Sequence, residues 1–134
     1  MRWAFDADVL VYAAMPAHPF SRAIRGVLYE LVQREGYGSV ILITELLTKP
    51  TRQRHESELA TLRLLLGYIE LIDLDADLAT KAVDLGAGYG LKLADAVHLA
   101  TAIEARADRF LTNNKRDFKP WMVSELEVVF PETL

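Results

Sequence analysis

The chain has 134 residues, 51% hydrophobic and 25% charged, a globular composition that excludes disorder and gives a single domain, 1–134, by size. It carries no cysteine, which excludes disulfides and thiolate metal sites and agrees with a cytoplasmic location. The net charge of −4 excludes a protein that grips nucleic acid through a generally basic surface, so any polyanion contact must be local or bridged by cations.

Arg2–Phe5 is predicted as a short strand, stopped by Asp6-Ala7-Asp8. The same opening stretch, MRWAFDADVLVY, holds carboxylates inside its apolar run, which argues against a signal peptide. Phe20–Glu35 has helical spacing, with Ile24, Leu28 and Leu31 on one face and Gly36-Tyr37-Gly38 as terminator. Ser39–Ile43 follows as a continuous apolar strand, then a short segment Glu45–Thr48 ahead of Lys49-Pro50. Glu56–Gly67 is predicted helical with Leu59, Leu62, Leu65 and Leu66 inward, and Ile69–Ile72 is a third strand. Asp75–Gly86 is a helix capped by Asp75. Lys92–Ala105 is a strongly apolar helix, Arg109–Leu111 a strand, and Glu127–Phe130 a last strand. No apolar run reaches about 18 residues, so no membrane span is expected.

Strands alternating with helices imply a three-layer α/β/α sandwich on a mainly parallel sheet of four to five strands. Strands covered on both sides appear as unbroken apolar runs, as Val40–Ile43 does. In such sheets, binding sites lie beyond the carboxyl ends of the strands. Asp6 and Asp8 follow the first strand, Glu45 the second, and Thr112-Asn113-Asn114 the strand ending at Leu111. Asp95 opens a helix that runs down into that strand, so it belongs at the same edge. Two carboxylates about 5 Å apart repel by roughly 3 kcal/mol at an effective dielectric near 20. A cluster of three must therefore protonate or bind a cation. Oxygen-only donors suit Mg²⁺ or Mn²⁺, which would also let an acidic site accept a phosphodiester.

These segments resemble a known family. FDADVLVY is similar to the opening of a PIN domain, VILITELLTKP to its second motif, and GLKLADAVHLATAIEARADRFLTNNKRDF to its third and fourth. The resemblance implies metal-binding acids at Asp6, Glu45 and Asp95. Within the family the chain is most similar to VapC-type toxins. That implies a Mg²⁺- or Mn²⁺-dependent endoribonuclease, a homodimer, and an antitoxin protein partner. The family's fourth motif usually reads Thr-Asn-Asp, whereas here it is Thr112-Asn113-Asn114. Asn114 brings an amide oxygen for a metal or an ordered water but no charge, and Asp117 or Asp8 is then the candidate for the missing carboxylate. Thr112 belongs to the same candidate set.

Each of these residues also has a purely structural reading. Asp6 and Asp8 suit turn capping, and Glu45 suits a first helical turn behind Thr44. Asp73, Asp75 and Asp77 read as helix-start residues, and His98 reads as a hydrogen-bonded structural histidine outside the catalytic set. Lys49, Arg52, Arg54 and His55 read as a solvated loop, and alternatively, with Lys115, Arg116 and Lys119, as contacts for RNA phosphates. The aromatics of Pro16–Arg25 and Tyr29–Tyr37 suit either core packing or a dimer or antitoxin interface. Two further function classes fit less closely. One is a PIN module that binds RNA or a protein without turnover; the other is a phosphoacceptor domain, which Glu45 and Thr-Asn-Asn do not match.

Overall fold

The structure is a computed structural model that describes residues 1–134. Strand β1 (Trp3–Phe5) leads into α1 (Ala7–Ala13) and α2 (Ser21–Glu30), and β2 (Gly36–Ser39) into α3 (Ile41–Arg52) and α4 (Glu56–Leu66). Then come β3 (Glu70–Ile72), α5 (Ala76–Tyr89), α6 (Leu93–Glu104), β4 (Arg109–Leu111), β5 (Glu127–Val129) and a terminal 3₁₀ turn (Pro131–Thr133). The five strands are all parallel, in the order β3-β2-β1-β4-β5. The order reverses at β1, so β1 and β4 diverge in connection and leave a crevice beyond their carboxyl ends.

Alternation along β1 divides the core. Trp3 and Phe5 face the layer of α1 to α4, among Val9, Leu10, Leu28 and Leu42. Ala4 faces the other way, with Phe110, Val128 and the buried face of α6 at Leu99 and Ala102. Helix α6 lies against β1, β2 and β4 and is flanked by α5, so it is buried over most of its length. Its residues Ala96 to Ala102 are all buried, which explains why its sequence is nearly all apolar or small.

Four elements differ from the sequence expectation. Residues 39–43 are not a strand: β2 occupies Gly36–Ser39, and α3 begins at Ile41. The apolar run misleads because only Leu42, Leu46 and Pro50 are buried, a four-residue repeat that belongs to a helix. The separate segment Glu45–Thr48 is thus the middle of α3, which continues through Pro50 to Arg52. The predicted helix Phe20–Glu35 ends at Glu30, and Gly36-Tyr37-Gly38 is a buried strand instead of a terminator. Glycine is needed there for close approach. A Cβ at Gly38 would stand 2.5 Å from Leu42 Cδ1, and one at Gly36 would stand 2.6 Å from Leu31 Cδ1 and 3.1 Å from the Tyr68 carbonyl oxygen.

Helix α1 was not expected at all. Asp6 ends β1 and also caps α1, its Oδ1 accepting from the Ala7 amide at 2.7 Å. Val9, Leu10 and Ala13 then turn into the core. The remaining boundaries agree with the sequence within a few residues. Asp75 caps α5 by accepting from the Leu78 amide at 2.8 Å, and Gly90 ends that helix at φ 68°, the left-handed region that favours glycine.

Candidate active site at the carboxyl edge

The acids singled out in the sequence lie together beyond the ends of β1 and β4. Asp6 is 6% exposed, fixed at one oxygen by the Ala7 amide and at the other by the Thr112 hydroxyl, which donates at 2.7 Å. Thr112 is fully buried, and its Oγ1 also accepts from the Asn114 amide at 3.1 Å. One threonine therefore sets both the first acid and the turn that follows β4. Asp8 stands one residue into α1 and accepts from the Asn113 amide at 3.0 Å, which ties α1 to the same turn.

Asp95 sits in the first turn of α6, where the helix dipole favours a carboxylate. Asn114 links it to Asp117: the amide nitrogen donates to Asp95 at 3.3 Å and to Asp117 at 3.0 Å, while the amide oxygen accepts from the Asp117 backbone N–H at 3.2 Å. Both ends of the Asn114 amide are engaged, so in this arrangement it acts as a bracket between two carboxylates.

Glu45 reaches the edge differently from the sequence expectation. It lies in the second turn of α3, six positions beyond the end of β2, and its Oε1 accepts from His98 Nε2 at 2.5 Å. His98 is 2% exposed, and its Nε2 also stands 3.9 Å from Asp6 Oδ1. The sequence reading of His98 as a hydrogen-bonded buried residue agrees with this geometry. What that reading did not supply was the partner. The available signal was the row Asp95, His98 and Thr101 or Ala102 on a helix with little else polar.

The electrostatics follow from the crowding. Burial, and then the Asp6 and Asp95 charges, push the Asp8 carboxyl up to about 7, against the Asn113 and Val9 amides, which lower it. Asp95 is raised by burial, then by Asp6 and Asp117. For His98, burial opposes the charged form, but the Glu45 hydrogen bond and the Asp6, Glu45 and Asp95 charges outweigh it and hold the imidazolium above its ordinary range. His98 is the one basic side chain that forms an ion pair with these acids.

The donor chemistry fits a hard divalent cation. Asp6, Asp8, Asp95 and Asp117 offer only oxygen, burial and the neighbouring carboxylate charges raise Asp8 and Asp95, and Asp8 Oδ1 is buried with no hydrogen-bond partner. No three carboxylate or imidazole groups converge closely enough in this side-chain arrangement to enclose an ion. Glu45 is drawn to His98 and Asp95 to Asn114, so both would have to turn from these partners toward a bound cation.

Of the residues proposed to meet phosphates, Lys49 and Arg52 fall at four and seven positions beyond Glu45, on one helical row beside the buried stripe of α3. They are on a helix and not a loop. Arg54 follows in the turn to α4, at φ 55°. Lys115 lies on the opposite flank and pairs with Glu132. The interface segments are mixed: Tyr29 is exposed against Tyr68, Phe20 is half-buried beside Tyr12 and His18, and Tyr37 is buried in the core. A cavity of about 700 Å³, lined by Trp3, Val27, Arg109 and Thr133 among others, lies apart from these acids.

Comparison with known proteins agrees with this architecture. The profile of the PIN domain matches residues 4–119. Among solved structures, the chain is similar to a toxin–antitoxin complex from Klebsiella pneumoniae, at 27% identity and a TM-score of 0.74, with 96% of each chain covered. It shares its fold with VapBC2 from Rickettsia felis bound to a promoter DNA fragment, at 20% identity and a TM-score of 0.72 over 97% of this chain and 98% of that one. The same holds for DNA-bound VapBC from Salmonella typhimurium, at 16% identity and a TM-score of 0.73 over 98% of each. No curated protein matches the sequence. The chain belongs to the PIN domain family.

Proposed function

We propose that this PIN-domain chain is a Mg²⁺- or Mn²⁺-dependent endoribonuclease, the toxin of a toxin–antitoxin pair, that hydrolyses RNA phosphodiesters. The observation that carries the reading is the placement of Asp6, Asp8, Asp95 and Asp117 at one edge of the sheet, close enough for their charges to act on Asp8 and Asp95, with no lysine or arginine paired to any of them. The family match supports a nuclease, and the likeness to the Klebsiella toxin–antitoxin complex supports an antitoxin partner.

Asp6, Glu45 and Asp95 would hold the ion, with Asp117 or Asp8 adding the charge that Asn114 lacks. A divalent ion there supplies a lowered pKa for bound water and charge stabilisation on the phosphate. The chain's own residues set the positions. Thr112 and the α1 amide hold Asp6 in one rotamer, and Asn114 keeps Asp95 and Asp117 together. His98 restrains Glu45 and offsets charge until a cation takes over that task. Lys49 and Arg52, in line with Glu45, would position the RNA backbone without reading bases. A cytoplasmic homodimer completes the proposal.

The test is cleavage of RNA by purified protein with Mn²⁺, beside Asp6→Asn and Asp95→Asn. Cleavage by the wild type alone supports the reading, and equal cleavage by the variants overturns it. RNA binding without turnover in any metal would instead favour a non-catalytic module, a reading that the engaged Asn114 amide favours.

A further inference from the structure

Apart from the acidic edge, a groove of about 430 Å³ follows the solvent side of α2, lined by Pro16, Ser21, Arg22, Arg25, Gly26 and Tyr29. Arg22, Arg25 and Tyr29 succeed one another at spacings of three and four, so they share one stripe of the helix. The lining holds two guanidiniums and no acid. Neither arginine forms an ion pair, although a chain of net charge −4 has carboxylates in excess. Like charges one turn apart on a helix repel, and the protein supplies this pair with no counter-charge.

The fold holds two of the three side chains in place. Arg25 is half-buried, and its Nε donates at 2.6 Å to the carbonyl of Ala13, the last residue of α1, which also accepts from the Ser21 hydroxyl at 3.1 Å. That bond uses one of the five guanidinium donors, and the terminal Nη groups have no protein acceptor and are not sealed from solvent. Tyr29 packs on Tyr68 with ring centroids 5.2 Å apart, and its hydroxyl is free, unlike those of Tyr12 and Tyr37. Between them, a Cβ added at Gly26 would meet nothing within 4 Å, so the groove has room beside the helix. A guanidinium donates and never accepts, and its planar fork matches the oxygens of an oxyanion. The charge selects among oxyanions. Two uncompensated positive charges match a phosphate monoester, which carries about −1.5 to −2 at pH 7 and three acceptor oxygens.

We propose that Arg22, Arg25 and Tyr29 form a binding site for a phosphate monoester, the two guanidiniums engaging its oxygens and the Tyr29 hydroxyl adding a third donor. The group is a terminal phosphate, whether of a free nucleotide or of a 5′-phosphorylated RNA end. The site is separate from the acidic edge and does not depend on the nuclease reading. Asp6 caps the start of α1 and Arg25 is bonded to its last residue, so about 10 Å of helix lies between them.

The test is titration of the metal-stripped full chain with inorganic phosphate and with adenosine 5′-monophosphate, following the arginine Nε–H signals by NMR. Both probes should shift the Arg22 and Arg25 signals. Arg22 is exposed, so Arg22→Gln leaves the fold intact, and it should weaken binding at least about tenfold, because a hydrogen bond to a charged group is lost. Tyr29→Phe should weaken it about threefold. Affinity should fall as pH drops through about 6, where the monoester loses its second charge, and acetate should not compete. Absence of arginine shifts with both probes, equal affinity in Arg22→Gln, or competition by acetate at the same concentration overturns the site. A short oligoribonucleotide with a 5′-phosphate and the same strand with a 5′-hydroxyl then separate the sources. Tighter binding of the phosphorylated strand, lost in Arg22→Gln, upholds the site with an RNA end as occupant. Equal binding of the two strands, beside arginine shifts with the mononucleotide, upholds it with a free nucleotide.

Discussion

His98 Nε2 lies 2.5 Å from Glu45 Oε1, joining α6 to α3 across 53 positions of sequence, and the same nitrogen stands 3.9 Å from Asp6 Oδ1. The imidazolium is therefore the counter-charge of the acidic edge when no metal is bound. Replacing it with alanine leaves a gap and an uncompensated buried Asp6. His98→Ala should destabilise metal-free protein by about 2–4 kcal/mol in urea unfolding. Saturating Mn²⁺ should stabilise this variant more than the wild type, because the cation supplies the missing charge. Equal increments in both proteins would show that His98 does not share the cation's task.

Asp8 gives the metal-free protein a pH signature. Its folded-state value of about 7 lies above the ordinary 3.8, so the folded chain binds the proton more tightly than the unfolded one. The associated stability is fully present below about pH 4 and is lost as pH rises through about 7. Between those values the slope contributed by one such group approaches about 1.4 kcal/mol per pH unit. Asp8→Asn keeps an oxygen for the Asn113 amide and removes the charge. Denaturation in EDTA from pH 5 to 8 should show stability falling with pH in the wild type and a flatter profile in Asp8→Asn. Parallel profiles would remove the crowding argument.

Two glycines test the packing around β2. Gly38→Ala pushes a methyl against the fully buried Leu42 and should cost about 1–3 kcal/mol. Gly26, in the middle of α2, has nothing within 4 Å of an added Cβ, and Gly26→Ala should stabilise by about 0.5–1 kcal/mol. Thermal unfolding of both variants checks the sign, and a stabilised Gly38→Ala would contradict the placement of β2.

That placement also shows where sequence reading stops. Helix α6 was legible because its apolar run is too long for a strand, and β4 because turn residues bracket it. The edge itself was legible from topology: a helix feeding a parallel strand must start where the strands end, which located Asp95. Residues 36–43 were not legible. Gly36 and Gly38 look like a terminator, and their close contacts with Leu31, Leu42 and Ile69 are set by tertiary packing that no local pattern records. Val40 to Ile43 have β propensity, yet the burial of Leu42, Leu46 and Pro50 makes the segment a helix. Asp6-Ala7-Asp8 marked the end of β1 correctly, but the same Asp6 also starts α1. The pairing of Glu45 with His98 depends on two helices meeting and has no local trace.

The row Glu45, Lys49 and Arg52 on α3 carries a further expectation. Charge reversal, Lys49→Glu with Arg52→Glu, should weaken RNA binding and flatten its salt dependence by about 0.7 in log–log slope for each lost single-strand phosphate contact. Binding measured in EDTA at several salt concentrations checks this. An unchanged slope would return both residues to an ordinary solvated helix face.

The most direct test of the account is calorimetric titration of Mn²⁺ into metal-stripped protein. The expected result is binding by the wild type that weakens at least about tenfold in each of Asp6→Asn, Glu45→Gln and Asp95→Asn, all three remaining folded, because removing a charged ligand costs at least about 1.4 kcal/mol. Equal Mn²⁺ affinity in the three variants and the wild type would contradict a shared cation at this edge.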